Sequence, residues 1–389
     1  NNERLCYDVY FYDLVIKINP KKKSIEGKNQ IYFTTTQSTK KIQIDLFENF
    51  QIDSITMNDK PLPFDRNEST IYVHFDKTIE PNSKQSLTVF YKGKPRKAPS
   101  PPWNGGFVWE KNKGKIWAGV ACEHLGASSW WPCKDHLSDK PDSMGISIIV
   151  PKEYFVVANG NLRDSNIIDE KNKIYKWFVS YPINTYNVTF YMGDFVNFTE
   201  DFSNENNTYK VDYYVLPHNL DTAKEYYLKQ TKTVLQIFEK LYGEYPYKND
   251  GVAMVEAPYR GMEHQSAIAI GDNYKGAKIR NYGKKDDFDY LVVHETAHEW
   301  WGNTVTMADM ADAWISEGFA MYSEYLFIEQ LYGYDEYVNA CKEGFIYIFN
   351  IWPMVGTRGV NANTFVSNDI YRKGAAMLNN LRCTINDDS

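Results

Sequence analysis

Cysteine is scarce in this chain. Five residues in 389, Cys6, Cys122, Cys133, Cys341 and Cys383, are scattered and odd in number. That excludes a disulfide framework, and the lack of any C-x-x-C pair excludes a thiolate metal knuckle. Cys122 and Cys133 remain open either to pairing or to standing as buried free thiols. No run of 18 apolar residues occurs, so no membrane-spanning helix is encoded. Basic blocks are missing too. The longest is Lys21-Lys22-Lys23, in what reads as a hairpin turn, and the net charge is −7. Nucleic acid is thereby excluded as a partner. No internal repeat of fixed period is present. Histidine is also short: seven in all, and none after His298.

Aromatic residues, by contrast, make up 16% of the chain, with 30 Tyr and 10 Trp. They supply enough bulk for two or three cores and a lined cleft. From Tyr7 to about Asp201 the chain runs in short segments rich in Val, Ile, Phe and Tyr, bounded by Asn, Asp, Gly, Pro and Ser. This pattern predicts an antiparallel β domain. Beyond residue 203 longer helical patterns take over. They are predicted near 221–242 (with Leu228, Leu235, Phe238 and Leu241 on one side), 288–302, 312–331 and 373–382. The expected organisation is α+β and multidomain: a β domain over 1–202 and a catalytic domain over 203–389. Helices following a small sheet make the second resemble thermolysin in fold, which by itself carries no function.

The chemistry centres on YLVVHETAHEWWGN, from Tyr290 to Asn303. His294-Glu295-Thr296-Ala297-His298 is an H-E-x-x-H pattern. On a helix the two histidines share one face, one turn apart, and can hold one Zn²⁺. Glu295, beside the first, is placed to take a proton from a water at the metal. Leu291, Val292 and Val293 keep one side dry, and Trp300, Trp301 and Gly302 are expected to end the helix in aromatic packing. A catalytic zinc site needs a third protein ligand. Trp301 and Thr304 stand where a metzincin would have Gly and His, so that class is excluded. With no later histidine, the third ligand is expected to be a carboxylate. Asp309, Asp312, Glu317 and Glu324 are the candidates, Asp312 being placed to cap the next helix. Glu324, two turns beyond Glu317 on the same helix face, suits a hydrogen bond to a ligand rather than to the metal.

His294-Glu295-x-x-His298, eighteen residues, then Glu317 within W-I-S-E-G-F-A resembles the aminopeptidase N family of zinc metallopeptidases, which includes the leukotriene-hydrolase enzymes. The resemblance implies a saddle-like N-terminal β sandwich and a thermolysin-like domain holding one Zn²⁺ per chain. It further implies Glu317 as third ligand and Glu295 as general base. Gly261-Met262-Glu263 resembles that family's G-x-M-E-N motif, in which the glutamate binds the substrate's α-amine beside an edge strand. Arg260 and His264 depart from the motif and alter the shape and polarity of the first subsite. His264 is expected to hydrogen-bond rather than to ligate. Tyr371-Arg372-Lys373-Gly374 resembles Y-x-K-G, whose tyrosine donates to the oxyanion. Within Trp117 to Asp135, Glu123 follows Cys122 and is aligned with a second amine-binding residue. In composition that segment reads as an ordinary loop.

The implied partners are peptides with a free N-terminal amine. An epoxide hydrolase, a thermolysin-type endopeptidase and a non-catalytic peptide-binding fragment are the alternatives. Nothing selects the first, the Gly261-Met262-Glu263 segment disfavours the second, and an intact Glu295 disfavours the third. Typical family members are expected to continue into further helices beyond Ser389. The N-x-S/T sites at Asn67, Asn187, Asn197 and Asn206 and the start at Asn1 favour a periplasmic or secreted setting over a cytoplasmic one.

Overall fold

The computed structural model describes residues 1–204, 208–271, 274, 288–359 and 368–385, in two compact units. The first comprises Asn1–Val196 with Asn249–Gly251 and His264–Ala267. The second takes the remainder.

The first unit is built on an eight-stranded sheet, accompanied by sheets of four and three strands. Alternation explains its register. Along Tyr7–Asn19, Leu14, Ile16 and Ile18 are buried while Lys17 and Asn19 are exposed. This strand turns back through residues 20–23 onto Ser24–Thr35 as a long hairpin, so the lysine run sits in a tight turn. The expected antiparallel pattern is broken in this unit by one parallel strand pair among the described residues, besides an isolated parallel bridge between Lys97 and Phe107. Tyr7–Asn19 pairs in parallel with Ser143–Pro151, from Phe11 opposite Ser143 to Lys17 opposite Ile149. Such a pair joins strands far apart in sequence, which no local turn signal announces. Trp130 and Trp131 are completely buried, Trp131 edge-on to Tyr12 at 5.0 Å. All five cysteines are free thiols, only Cys383 being exposed.

Elements of the second unit are numbered within it. Its five-stranded sheet uses β1 (Val196–Ser203, whose first residue belongs to the first unit), β2 (Thr208–Val215), β3 (Val252–Glu256), β4 (Gly261–Met262) and β5 (Ile268–Ile270). The spatial order is β1-β2-β3-β5-β4, which leaves β4 at one edge. β3 runs parallel to both β2 and β5, and β4 runs antiparallel to β5.

Among the described residues of this unit five α-helices follow the order of the chain: α1 (Leu220–Tyr242), α2 (Tyr290–Ala297), α3 (Trp314–Tyr332), α4 (Tyr334–Phe345) and α5 (Asp369–Ile385). The buried side of α1 carries Tyr227, Val234, Leu235 and Phe238, while Leu228 is exposed, so the stripe is rotated from the one expected. α2 stops at Ala297, short of the expected 302. There the Asn303 amide donates to His298 O at 3.0 Å, and Gly302 turns the chain at φ +121°. Asp312 does not cap α3. Ala313 precedes that helix without a side-chain cap, and Asp312 pairs instead with Arg358 at 2.8 Å. The helix α4 was not expected. Gly333, at φ +91°, separates it from α3 and breaks what would otherwise be one helix.

Candidate active site

α2 begins where Asp289 caps it, its carboxylate accepting from Leu291 N at 2.9 Å. Gln230 on α1 accepts the Asp289 amide at 2.8 Å, and the Tyr226 hydroxyl donates to the Asp289 carboxylate. The start of α2 is thus tied to α1. Leu291, Val292 and Val293 are buried as expected, and His294 and His298 emerge one turn apart.

Each imidazole is oriented through its Nδ1. His294 Nδ1 lies 2.8 Å from Glu324 Oε1. His298 Nδ1 lies 2.9 Å from the Trp301 carbonyl oxygen, which can only accept, so this nitrogen carries a proton. Ser316 Oγ is 3.1 Å from the same nitrogen. The two Nε2 atoms then face each other at 3.2 Å. Glu317 Oε2 approaches to 3.2 Å from His294 Nε2 and 3.5 Å from His298 Nε2. Among the four carboxylates open from the sequence, Glu317 is therefore the one that meets both imidazoles. Glu324 meets only the far side of His294.

Three buried acceptors pointed at one another need positive charge between them. In the metal-free chain protons supply it. Burial works against a charged His294, but hydrogen bonds to Glu317 and Glu324 outweigh it and hold its pKa well above the ordinary imidazole value. His298 is raised for the same kind of reason, with Glu317 as the main opponent of burial. Burial would raise Glu317, yet the two imidazoles hold it well below the usual carboxylate range. The ligating atoms of His294, His298 and Glu317 all lie within 4.8 Å of one another. A donor set of two nitrogens and one oxygen, with both Nδ1 atoms engaged outside it, suits zinc.

Glu295 is buried, and burial pushes its carboxyl up to about 8; the nearby imidazoles lower it, while Glu263 and Glu317 raise it. Gly261 packs against it from the edge strand β4. A Cβ there would lie 2.5 Å from Glu295 Oε1 and 2.6 Å from Leu291 Cδ1. Met262 and Glu263 are buried beside it, and Asn303 donates to the Glu263 backbone oxygen at 2.8 Å. Glu263, Glu295 and His298 also bring ligating atoms within 4.8 Å of one another. Arg260 is exposed, its guanidinium over the Tyr290 ring at 5.5 Å. The Tyr371 hydroxyl, at the start of α5, donates to Glu317 Oε1 at 2.9 Å.

His264 and Glu123 belong to the first unit. The Tyr191 hydroxyl donates its proton to Ala267 O at 2.7 Å, so it accepts from His264 Nδ1, also at 2.7 Å. Burial lowers the His264 pKa to about 3, and the ring is a neutral hydrogen-bonding group. Glu123 is buried after the strand Lys115–Ala121, its carboxylate 3.1 Å from His124 Nε2. Asn187 is fully buried, which closes it as a modification site in the folded chain. Asn206 lies outside the described residues.

Sequence reasoning missed Asp289, Ser316, Asn303 and the glycine pair Gly318 and Gly374. Asp289 had a signal, an acidic residue directly before an apolar run. The others lie inside the stretches quoted above, but their partners lie across the fold and no spacing announces them.

Comparison with known proteins places this geometry. Residues 9–187 match the peptidase M1 N-terminal domain, and residues 226–389 match the peptidase family M1 domain. Aminopeptidase 2 of Candida albicans is 25% identical over 329 residues, which cover 82% of this chain and 35% of that protein. Mouse glutamyl aminopeptidase is 32% identical over 219 residues, covering 55% of this chain and 23% of that protein. The chain thus spans about a third or less of these relatives' length. Among solved structures, an M1 zinc metallopeptidase variant from Deinococcus radiodurans, bound to a Tyr-Ser-Ala substrate, superposes with a TM-score of 0.79. It is 21% identical and covers 97% of this chain and 83% of its own. Yeast LTA4 hydrolase gives a TM-score of 0.80 at 18% identity, covering 99% of this chain and 60% of its own.

Proposed function

Because this chain belongs to the peptidase M1 family, we propose that it is a zinc-dependent aminopeptidase removing the N-terminal residue from peptides. The observation that carries this reading is the convergence of His294 Nε2, His298 Nε2 and Glu317 Oε2, with Glu295 next in line on the same helix. These three residues would hold the metal. When bound, zinc supplies Lewis-acid polarisation of the scissile carbonyl and a water of lowered pKa.

The chain's own residues do the rest. Glu295 takes the proton from the attacking water and passes it to the leaving amine. It is buried and packs against Gly261, which places the carboxylate beside β4. Tyr371 turns its one hydroxyl proton from Glu317 to the oxygen on which charge develops, a role suited to a neutral donor. Glu263, at the end of the edge strand, accepts from the substrate's α-ammonium and so fixes cleavage one residue from the N-terminus. Gly261 and Met262 offer backbone to an added peptide strand. Glu123 is assigned a second acceptor for that ammonium on the family resemblance alone. Glu324 orients His294. In this reading residues 203–389 carry the catalysis and residues 1–202 the β domain.

The test is hydrolysis of aminoacyl-coumarin substrates, each beside its N-acetylated twin, with and without chelator. Chelator-sensitive turnover of the free-amine series alone is the expected result. A Glu295→Ala chain should retain zinc and lose at least about a hundredfold in kcat. Equal cleavage of blocked and free substrates, or near-normal turnover of that variant, would overturn the assignment.

A further inference from the structure

Gly318 directly follows Glu317 on α3, and Gly374 lies one turn beyond Tyr371 on α5. Here the two helices touch backbone to backbone. A Cβ built on Gly374 would lie 2.9 Å from Gly318 Cα, and one built on Gly318 would lie 3.0 Å from Gly374 Cα and 3.1 Å from Ile370 O. Ordinary Cβ contacts fall at 3.4–4 Å. Neither glycine has the positive φ that would demand glycine for conformational reasons. Each also lowers helix propensity relative to alanine. What the pair achieves is closeness, and the hydrogen bond from Tyr371 to Glu317 Oε1 spans the helices beside this crossing.

We propose that Gly318 and Gly374 are positioning residues. By letting α5 lie directly on α3, they seat the Tyr371 hydroxyl on Glu317 and fix that carboxylate's orientation toward His294 and His298. This deepens the zinc reading and rests on it for its effect on metal affinity, though the interhelical contact itself does not depend on it. A methyl group at the crossing must move backbone, because the opposing atom is a Cα and cannot rotate away. The separation needed to reach an ordinary contact carries Tyr371 with α5 and stretches a 2.9 Å bond toward the limit of hydrogen bonding.

The test is the zinc dissociation constant, measured by competition with a chromophoric chelator, for wild type, Gly374→Ala, Tyr371→Phe and the double variant. Losing an outer partner of a ligand costs about tenfold or more in affinity. Each single variant should weaken zinc about tenfold, and the double variant no further, since both remove one bond. Gly318→Ala, which meets the same crossing from the opposite helix, should act in the same direction and serves if Gly374→Ala does not fold. Leu378→Ala, one turn beyond Gly374 on the same buried face of α5 but not among the closest atoms of the glycine crossing, should lower Tm and leave zinc affinity unchanged.

A crystal structure of metal-free Gly374→Ala should show the Tyr371 hydroxyl beyond 3.5 Å from Glu317. Wild-type zinc affinity in the glycine variants, additive losses in the double variant, or an equal loss in Leu378→Ala would each overturn the inference. A wild-type chain that binds no zinc would instead sink the zinc reading, and the crystallographic distance would then decide the positioning role by itself.

Discussion

At His294 a proton and a metal ion compete for one place. Both ring nitrogens face carboxylates, Glu324 at 2.8 Å and Glu317 at 3.2 Å, and the pKa of the metal-free chain is raised well above 6.5. A pKa raised on folding stabilises the metal-free fold fully below the unfolded value, and this contribution is lost as pH rises through the folded value. Zinc must displace the same proton, so its apparent affinity should rise from pH 6 to pH 8, by about tenfold per unit for one proton released. Calorimetric titration at neutral pH in buffers of different ionisation enthalpy reads the proton count directly. A pH-independent affinity with no proton release would show that the imidazole is already neutral. The spacing that pairs the two histidines is local, set by the helical repeat, and was legible in the sequence. Glu317 was not separable from Asp309, Asp312 and Glu324 by spacing. Its approach depends on where α3 lies against α2, and only the family resemblance singled it out. The Trp301 carbonyl that orients His298 belongs to the backbone, so no residue type could announce it.

The elements meet in places where side chains are missing. β4 comes against α2 because Gly261 has no Cβ to collide with Glu295 and Leu291. Gly261→Ala should therefore leave the fold nearly intact, since the far end of a flexible carboxylate can yield. It should also shift the group proposed as general base. A misplacement of about 1 Å can cost a hundredfold in rate, so kcat should fall ten- to a hundredfold with zinc binding preserved. Unchanged kcat in a variant of wild-type Tm would show that Glu295 tolerates the displacement. The existence of α1, α2, α3 and α5 was legible from apolar periodicity, whereas helix ends were not. The end of α2 was placed five residues too late because Trp300 and Trp301 continue its apolar pattern. The stop comes from Gly302 and a backbone bond to His298 that no propensity encodes. α4 was overlooked because its buried side is short, only Tyr337, Ala340, Cys341 and Gly344.

Over the whole molecule, the change from strand to helix patterns was read at residue 203, and the first unit's main segment runs to Val196. The return of Asn249–Gly251 and His264–Ala267 to the first unit had no sequence signal, because it is a matter of contacts. Two units with separate cores should give two thermal transitions, and zinc should act on one of them. The proposed ligands His294, His298 and Glu317 all lie in the second unit. Free zinc at about a thousand times its dissociation constant adds about 4 kcal/mol to a unit that binds it only when folded. Chelation should therefore lower the Tm of one transition by several degrees and leave the other in place. Leu14→Ala, at a completely buried position in the first unit, should move the second transition instead, at a cost of about 2–5 kcal/mol. Scanning calorimetry of the wild-type and Leu14→Ala chains, each loaded and chelated, gives four traces that decide the matter. If chelation and Leu14→Ala both shift a single common transition, the two units unfold as one. The stability contributed by the metal would then be shared by the β sheets as well as the helices that hold it.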